Sequence, residues 1–251
     1  MLVMCYGGGT NSAAILVQLK NLGVRPDLIT FADTGAERPK TYAHIKLMSE
    51  WCVKNDFPEI TTVTQVKADG SPNYLYELCI EKNMLPSLAY GFKSCSKKHK
   101  IAPQDKFMNN FEMAISEWKE GRKVKKIIGY DCGESHRIKN YDDDKYEFWY
   151  PLVDWGWHRE DCVNAIVREG LPKPNKSACF FCPSTKIEEI KELYDTEPEL
   201  IAKAIFMEDN AELTQVKGLG RNYSWRSVID YYERQADMFK HSPDISCDCF
   251  E

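Results

Sequence analysis

The stretch LVMCYGGGTNSAAILVQLKNL, residues 2–22, sets the reading of the whole chain. Leu2 to Tyr6 is a short apolar run of strand length that ends in Gly7-Gly8-Gly9. From Asn11 to Leu22 the residues Ala14, Ile15, Val17, Leu19 and Leu22 suit a mostly buried helix. The segment therefore reads strand, glycine turn, helix. The same alternation continues outward. Asp27 to Phe31 reads as a second buried strand, and Pro39 opens a helix with Tyr42, Ile45, Met48 and Cys52 at three-to-four spacing. Ile60 to Val66 is expected to be a third strand, Pro103 to Glu120 a helix and Val124 to Tyr130 a fourth strand. Such alternation predicts an α/β fold, a doubly wound parallel sheet with helices on both faces. The last hundred residues read as helices near Arg159–Glu169, Thr185–Tyr194, Pro198–Asn210 and Ser224–Phe239. They set an α/β core at residues 1–155 apart from a helical, cysteine-containing subdomain at 156–251.

The composition agrees with an enzyme-sized globular protein. The chain has 251 residues, 43% of them hydrophobic, ample for a buried core. A formal charge of −5 supplies no long-range field for gathering polyanions. No stretch reaches the roughly 18 apolar residues of a membrane span, and the start carries no basic leader, so a cytoplasmic protein is expected. Ten cysteines are too few for a disulfide-built secreted scaffold and are expected to be reduced thiols, free to bind metal or react.

In an open parallel sheet the ligand lies beyond the carboxyl ends of the strands. Gly7-Gly8-Gly9-Thr10-Asn11-Ser12 is placed for this, because bare backbone can wrap a phosphate and the helix amino end supplies unpaired N–H groups. No Lys-Ser/Thr pair follows, so it is not a Walker loop. Asp33, at the end of the second strand, suits a ribose contact, and a dinucleotide oxidoreductase using it is one alternative. Replacing Gly8 with Val is expected to abolish nucleotide binding with little loss of fold.

The turn resembles the PP-loop of the adenine nucleotide alpha-hydrolase superfamily, which includes ATP pyrophosphatases and phosphoadenosine phosphosulfate reductases. Further motifs match in order: Asp33-Thr34-Gly35 with Glu37 and Pro39, Gly129-Tyr130-Asp131 with Glu134-Ser135 and Arg137, and Tyr150-Pro151-Leu152 with Asp154-Trp155. Gly170-Leu171-Pro172 and Lys176-Ser177-Ala178-Cys179-Phe180-Phe181-Cys182-Pro183 complete the set, which covers residues 2 to about 195 and is closest to the reductase-like branch. The resemblance implies an adenine nucleotide, ATP or an adenylyl sulfate, with its phosphates on Gly7–Ser12. Two departures stand out. Pyrophosphatase members carry an Asp, which helps manage Mg²⁺, where Asn11 stands; and the tail of the sulfate-reducing members is replaced by Cys247-Asp248-Cys249-Phe250-Glu251.

Cys179 and Cys182 form a CxxC whose spacing puts two thiolates on one metal centre. Cys95 sits where iron–sulfur members carry a cysteine pair. The fourth position is open to His99 or to Cys247 or Cys249 from the tail: with His99 the set suits a closed Cys₃His zinc site, and the three cysteines alone suit a [4Fe–4S] cluster with one open iron. Cys247 or Cys249 is the expected nucleophile, while Arg137 grips phosphate or sulfate and Lys93, Lys97, Lys98, Lys100 and Lys106 form a basic run. Cys5, Cys52, Cys79 and Cys162 read as core, and Cys132 as a bystander.

These residues together suggest a reductase-like or sulfur-transferring enzyme. Its expected partners are the nucleotide and a sulfur donor or thiol reductant, with a nucleic-acid acceptor and a homodimer both compatible. The alternative is a zinc-stabilised nucleotide-binding or partner-binding module without turnover.

Overall fold

β1 (Leu2–Tyr6) is the middle strand of a five-stranded, all-parallel sheet, and its side chains alternate between two cores. The computed structural model describes residues 1–86, 93–138 and 142–240, with backbone alone for 236–240. After β1 come α1 (Thr10–Asn21), β2 (Leu28–Asp33), α2 (Pro39–Lys54), β3 (Ile60–Thr64) and α3 (Leu75–Glu81). A helical stretch then runs through α4 (Ser94–Ser96), a π-type turn at Lys97–Ile101 and α5 (Ala102–Met108). Next are α6 (Glu112–Lys119), β4 (Val124–Ile127), a 3₁₀ turn at Cys132–Arg137, β5 (Tyr146–Trp149), α7 (Pro151–Asp154) and α8 (Arg159–Arg168). The chain continues with α9 (Ile187–Thr196), α10 (Pro198–Asn210) and α11 (Trp225–Lys240). It divides into two compact units, Met1–Leu75 with Ser94–Cys179, and Tyr76–Lys93 with Phe180–Glu251. Among the described residues no helix is long and apolar enough to cross a membrane.

The first unit holds the sheet, in the order β3-β2-β1-β4-β5. Met4 and Tyr6 of β1 pack with Ile29 and Phe31 of β2 against Ile15, Leu16 and Leu19 of α1, Met48 and Cys52 of α2, and Cys162 and Ile166 of α8. Val3, pointing the other way, packs with Leu28, Val124 and Tyr146 against Met108 of α5 and Ala114 of α6. Each fully buried Leu, Ile or Met in these layers contributes about 1.5–3 kcal/mol over exposure. One charge enters the second layer. Lys126 is buried, its Nζ 2.8 Å from Asp105 and 3.5 Å from the centre of the Tyr146 ring, so the ammonium keeps both a counter-ion and a π face.

Three sequence expectations are corrected. The helix expected over Pro103–Glu120 is two helices, α5 and α6. Asn110 turns its side-chain amide onto the Lys106 carbonyl at 2.7 Å, the local competition with helical bonding that makes Asn a poor interior residue. The fourth strand ends at Ile127, before Gly129. The fifth strand had no counterpart in the sequence reading. Asp143 launches it by accepting the N–H groups of Lys145 and Tyr146, both at 2.9 Å, which gives a role to the middle of the Asp142-Asp143-Asp144 run.

Within the second unit, Phe180 and Phe181 pack on Tyr76, with ring centres 5.5 and 5.8 Å away. Ile190, Leu193, Ile201, Ala204, Met207 and Trp225 are buried. Glu208 of α10 is only 4% exposed and accepts three backbone N–H groups, from Leu219 at 2.6 Å, Trp225 at 2.9 Å and Arg226 at 3.1 Å. It thus closes the loop before α11 and caps that helix through its first N–H groups.

Candidate nucleotide site

The strand order reverses between β1 and β4, and ligands of open α/β sheets bind in the crevice that such a reversal leaves at the strands' carboxyl ends. Gly7–Gly9 leave β1 there, and residues 128–131 leave β4. α1 starts at Thr10 from an extended Gly9 with no side chain capping it among the described residues, so its first-turn N–H groups are of the kind that a helix amino end can offer to an anion. Gly8 adopts φ +72°, and a Cβ there would lie 3.3 Å from Thr41 Cγ2. Gly8→Val is therefore not a clean probe of binding, because a β-branched residue at positive φ costs stability as well.

Asn11 joins the two sides of the crevice. Its Nδ2 donates towards the Gly129 carbonyl at 3.2 Å, Asp131 Oδ2 at 3.0 Å and Glu134 Oε2 at 3.1 Å. Its Oδ1 accepts from Arg159 Nη1 at 3.2 Å. The amide orientation is fixed by this arrangement, since the carboxylates can only accept and the guanidinium can only donate. The neutral Asn11 is thus flanked by two acids from the β4 loop. Arg137 pairs with Glu134 and lies 4.2 Å from the centre of the Tyr130 ring, which stacks on Tyr150.

The post-β2 loop closes the other side. Asp33 Oδ1 accepts from the Gly35 N–H and from the Tyr42 hydroxyl, each at 2.8 Å, so that oxygen holds the loop. Burial and this acid push the Tyr42 phenol well above its usual range. Glu37 bridges to Cys179 in an antiparallel backbone pair, and Thr34 Oγ1 lies 3.2 Å from Cys179 Sγ. Lys100 Nζ is 3.0 Å from Glu37 Oε1, while Glu37 Oε2 is buried with no hydrogen-bond partner among the described residues. Ser177 Oγ donates to the Gly7 carbonyl at 2.7 Å. The glycine turn, Thr34, Gly35, Glu37, Lys100 and Cys179 therefore lie together in the first unit.

The remaining candidates are placed as follows. Cys95 is half-buried on α4 in the first unit, whereas Cys182 belongs to the second, its carbonyl accepting the Thr185 N–H at 2.9 Å. His99 is 2% exposed in the π-type turn, its Nδ1 without a hydrogen-bond partner among the described residues; burial, the largest cause, lowers its pKa against the opposing pull of a hydrogen bond to the Asn73 backbone. Among the described residues no three His, Cys, Asp or Glu side chains group as a metal site. Cys247 and Cys249, the expected nucleophiles, lie outside the described residues. Cys52, Cys79 and Cys162 are buried, and burial pushes the Cys52 and Cys162 thiols to about 12, which leaves them unreactive. Cys132 Sγ lies 3.8 Å from the Leu152 carbonyl. Sequence reasoning missed Arg159, for which the chain carries no local signal. A cleft of about 320 Å³ between α1 and α8, lined by Gln18, Asn21, Asp161 and Arg168 among others, includes none of the turn residues.

His44, on α2, is 8% exposed, its Nε2 has no hydrogen-bond partner among the described residues, and burial lowers its pKa from 6.5. As pH falls below 6.5 the unfolded chain takes up a proton that the folded protein refuses, down to the lowered folded value. Stability should fall through that window with a slope of up to about 1.4 kcal/mol per pH unit from this residue. Urea midpoints of wild type and His44→Gln at about pH 7.5 and pH 5.5 check this. Equal losses on acidification in both proteins would remove His44 as a source.

No protein-family model matches the chain, and no curated protein is significantly similar to it.

Proposed function

We propose that the chain is a phosphoadenosine phosphosulfate reductase-like enzyme that binds an adenine nucleotide, ATP or an adenylyl sulfate, with its phosphates on Gly7–Ser12. The observation that carries this is the uncapped amino end of α1 at the strand-order reversal, with Asn11 spanning the exits of β1 and β4. The reading takes the fold as doubly wound, with a carboxyl-terminal helical subdomain bearing Cys182 and the Cys247/Cys249 tail. Thr34 and Gly35 would line the nucleotide, and Asp33 would hold their loop.

Cys95, Cys179 and Cys182 would hold a [4Fe–4S] cluster, or a zinc ion together with His99. The donor chemistry suits either group: His99 is a neutral, buried imidazole with a bare Nδ1 and a backbone partner, as metal-ligating histidines usually have. An iron–sulfur cluster supplies electrons or carries sulfide when bound, and zinc supplies structure. Cys179 meets the nucleotide loops through Thr34 and Glu37, which favours sulfur-transfer or reductive chemistry at the edge of the nucleotide site. Asn11 contributes no charge of its own, so any Mg²⁺ that accompanies the nucleotide would draw on Asp131 and Glu134. The neutral amide also supports the alternative, a zinc-stabilised binding module without turnover.

Two measurements on anaerobically purified protein test the reading. Calorimetric titration with ATP should give saturable one-site binding, and its absence would remove the nucleotide assignment. Iron with matching acid-labile sulfide supports the enzyme, one zinc per chain supports the module, and neither metal overturns the cysteine centre.

A further inference from the structure

We infer that Arg159, at the first position of α8, is the residue that grips the anionic end of the nucleotide on the glycine turn, with Asn11 as its positioning residue. This rests on the nucleotide reading above. Residues 7–12 contain no basic side chain, so the turn must borrow its positive charge from elsewhere in the fold. The basic residues singled out by sequence near the crevice are already engaged. Arg137 is paired with Glu134, and Lys100 with Glu37.

Arg159 is different. Among the described residues its one hydrogen bond goes to a neutral acceptor, Asn11 Oδ1 at 3.2 Å, and it makes no ion pair with a carboxylate. A guanidinium has five N–H donors in a fork that matches phosphate or sulfate, so most of its capacity is left for a ligand. Its base is fixed, because Cys162 and Ile166 of α8 are buried in the same core as Ile15, Leu16 and Leu19 of α1. A second feature of the turn also looks for a partner: Thr10 Oγ1 is fully buried at the start of α1 and has none among the described residues. The same geometry accounts for Asn rather than Asp at position 11. An aspartate would neutralise Arg159 and stand against Asp131 and Glu134, whereas the amide satisfies both sides and leaves the arginine's charge for the ligand.

The test uses the full chain, wild type and the variants Arg159→Ala, Arg159→Lys and Asn11→Asp, titrated with ATP and with inorganic pyrophosphate. Arg159→Ala should weaken ATP binding by about 10- to 100-fold, the loss of one charge-assisted contact, and flatten the salt dependence of what remains. Arg159→Lys should recover part of the affinity, and Asn11→Asp should weaken Mg²⁺-free ATP in the same direction. The thermal midpoint of Arg159→Ala should stay within about 2 °C of wild type, which separates a ligand contact from a structural one. If Arg159→Ala binds ATP and pyrophosphate as tightly as wild type, the inference is overturned. If wild type binds pyrophosphate but not ATP, the adenine reading fails, while loss of pyrophosphate binding in Arg159→Ala would still uphold Arg159 as the anion contact. If wild type binds neither, both fall.

Discussion

Glu208→Ala is expected to cost about 3–5 kcal/mol and to melt the segment that leads into α11, the largest effect we foresee for any single side chain in the second unit. The carboxylate accepts three backbone N–H groups in a site only 4% exposed, so its removal strands three donors where water does not replace them. Glu208→Gln keeps the shape and one acceptor oxygen but turns an NH₂ towards other donors, and should recover only part of the loss. Gly218 adds to the expectation, since a Cβ there would lie 2.4 Å from Glu208 Oε2, which leaves the loop little room to shift. Denaturant unfolding with circular dichroism reads the change. A loss below about 1 kcal/mol for Glu208→Ala would mean that the three bonds are replaceable.

The second large effect falls on the candidate site. Gly35 sits at φ +69°, and a Cβ there would lie 2.1 Å from Tyr74 Cδ1 and 2.2 Å from Cγ. No rotamer of Tyr74 relieves this, because its own Cβ is only 2.7 Å from the same point. Gly35→Ala must therefore displace the loop, breaking the bond from the Gly35 N–H to Asp33 and that from the Leu75 N–H to the Thr34 carbonyl. We expect about 2–4 kcal/mol of destabilisation together with loss of ATP binding, because Thr34 and the Glu37–Cys179 bridge move with the loop. Unaltered thermal stability in Gly35→Ala would show that the loop has slack, and loss of stability with ATP binding unchanged would take Thr34 and Gly35 out of the site.

How far the sequence spoke depended on whether a feature is local. β1, the turn and α1 were legible because apolar runs of the right length flank consecutive glycines, and each part is consistent with the next. β5 was not, because four residues carry too short a pattern; it exists through pairing with β4 and the two N–H groups held by Asp143. The break between α5 and α6 was missed because Phe107, Phe111, Ala114 and Trp118 keep a helical rhythm across it, although two asparagines stand at the junction. In the site, Asn11 was visible as a neutral residue where an acid was expected. Its partner Arg159 lies 148 positions away and is brought to it only by the packing of α8 on α1. Glu134 and Arg137 could be quoted as a motif, but their mutual pairing, which takes Arg137 out of contention as an uncompensated cation, is a property of the folded turn.

The bond from Ser177 to Gly7 spans 170 residues, in a turn whose other parts come from the first dozen positions of the chain. β1, the glycines and α1 can assemble early and locally, but the first carbonyl of the turn obtains its partner only when a segment two-thirds of the way along the chain has been made and docked. A growing polypeptide therefore carries an unfinished cradle through most of its synthesis. Closure of that contact couples the completion of the glycine turn to the arrival of Cys179, two residues further on, so that under the proposed function the part that would hold the ligand and a thiol that would hold the metal centre come of age in one step.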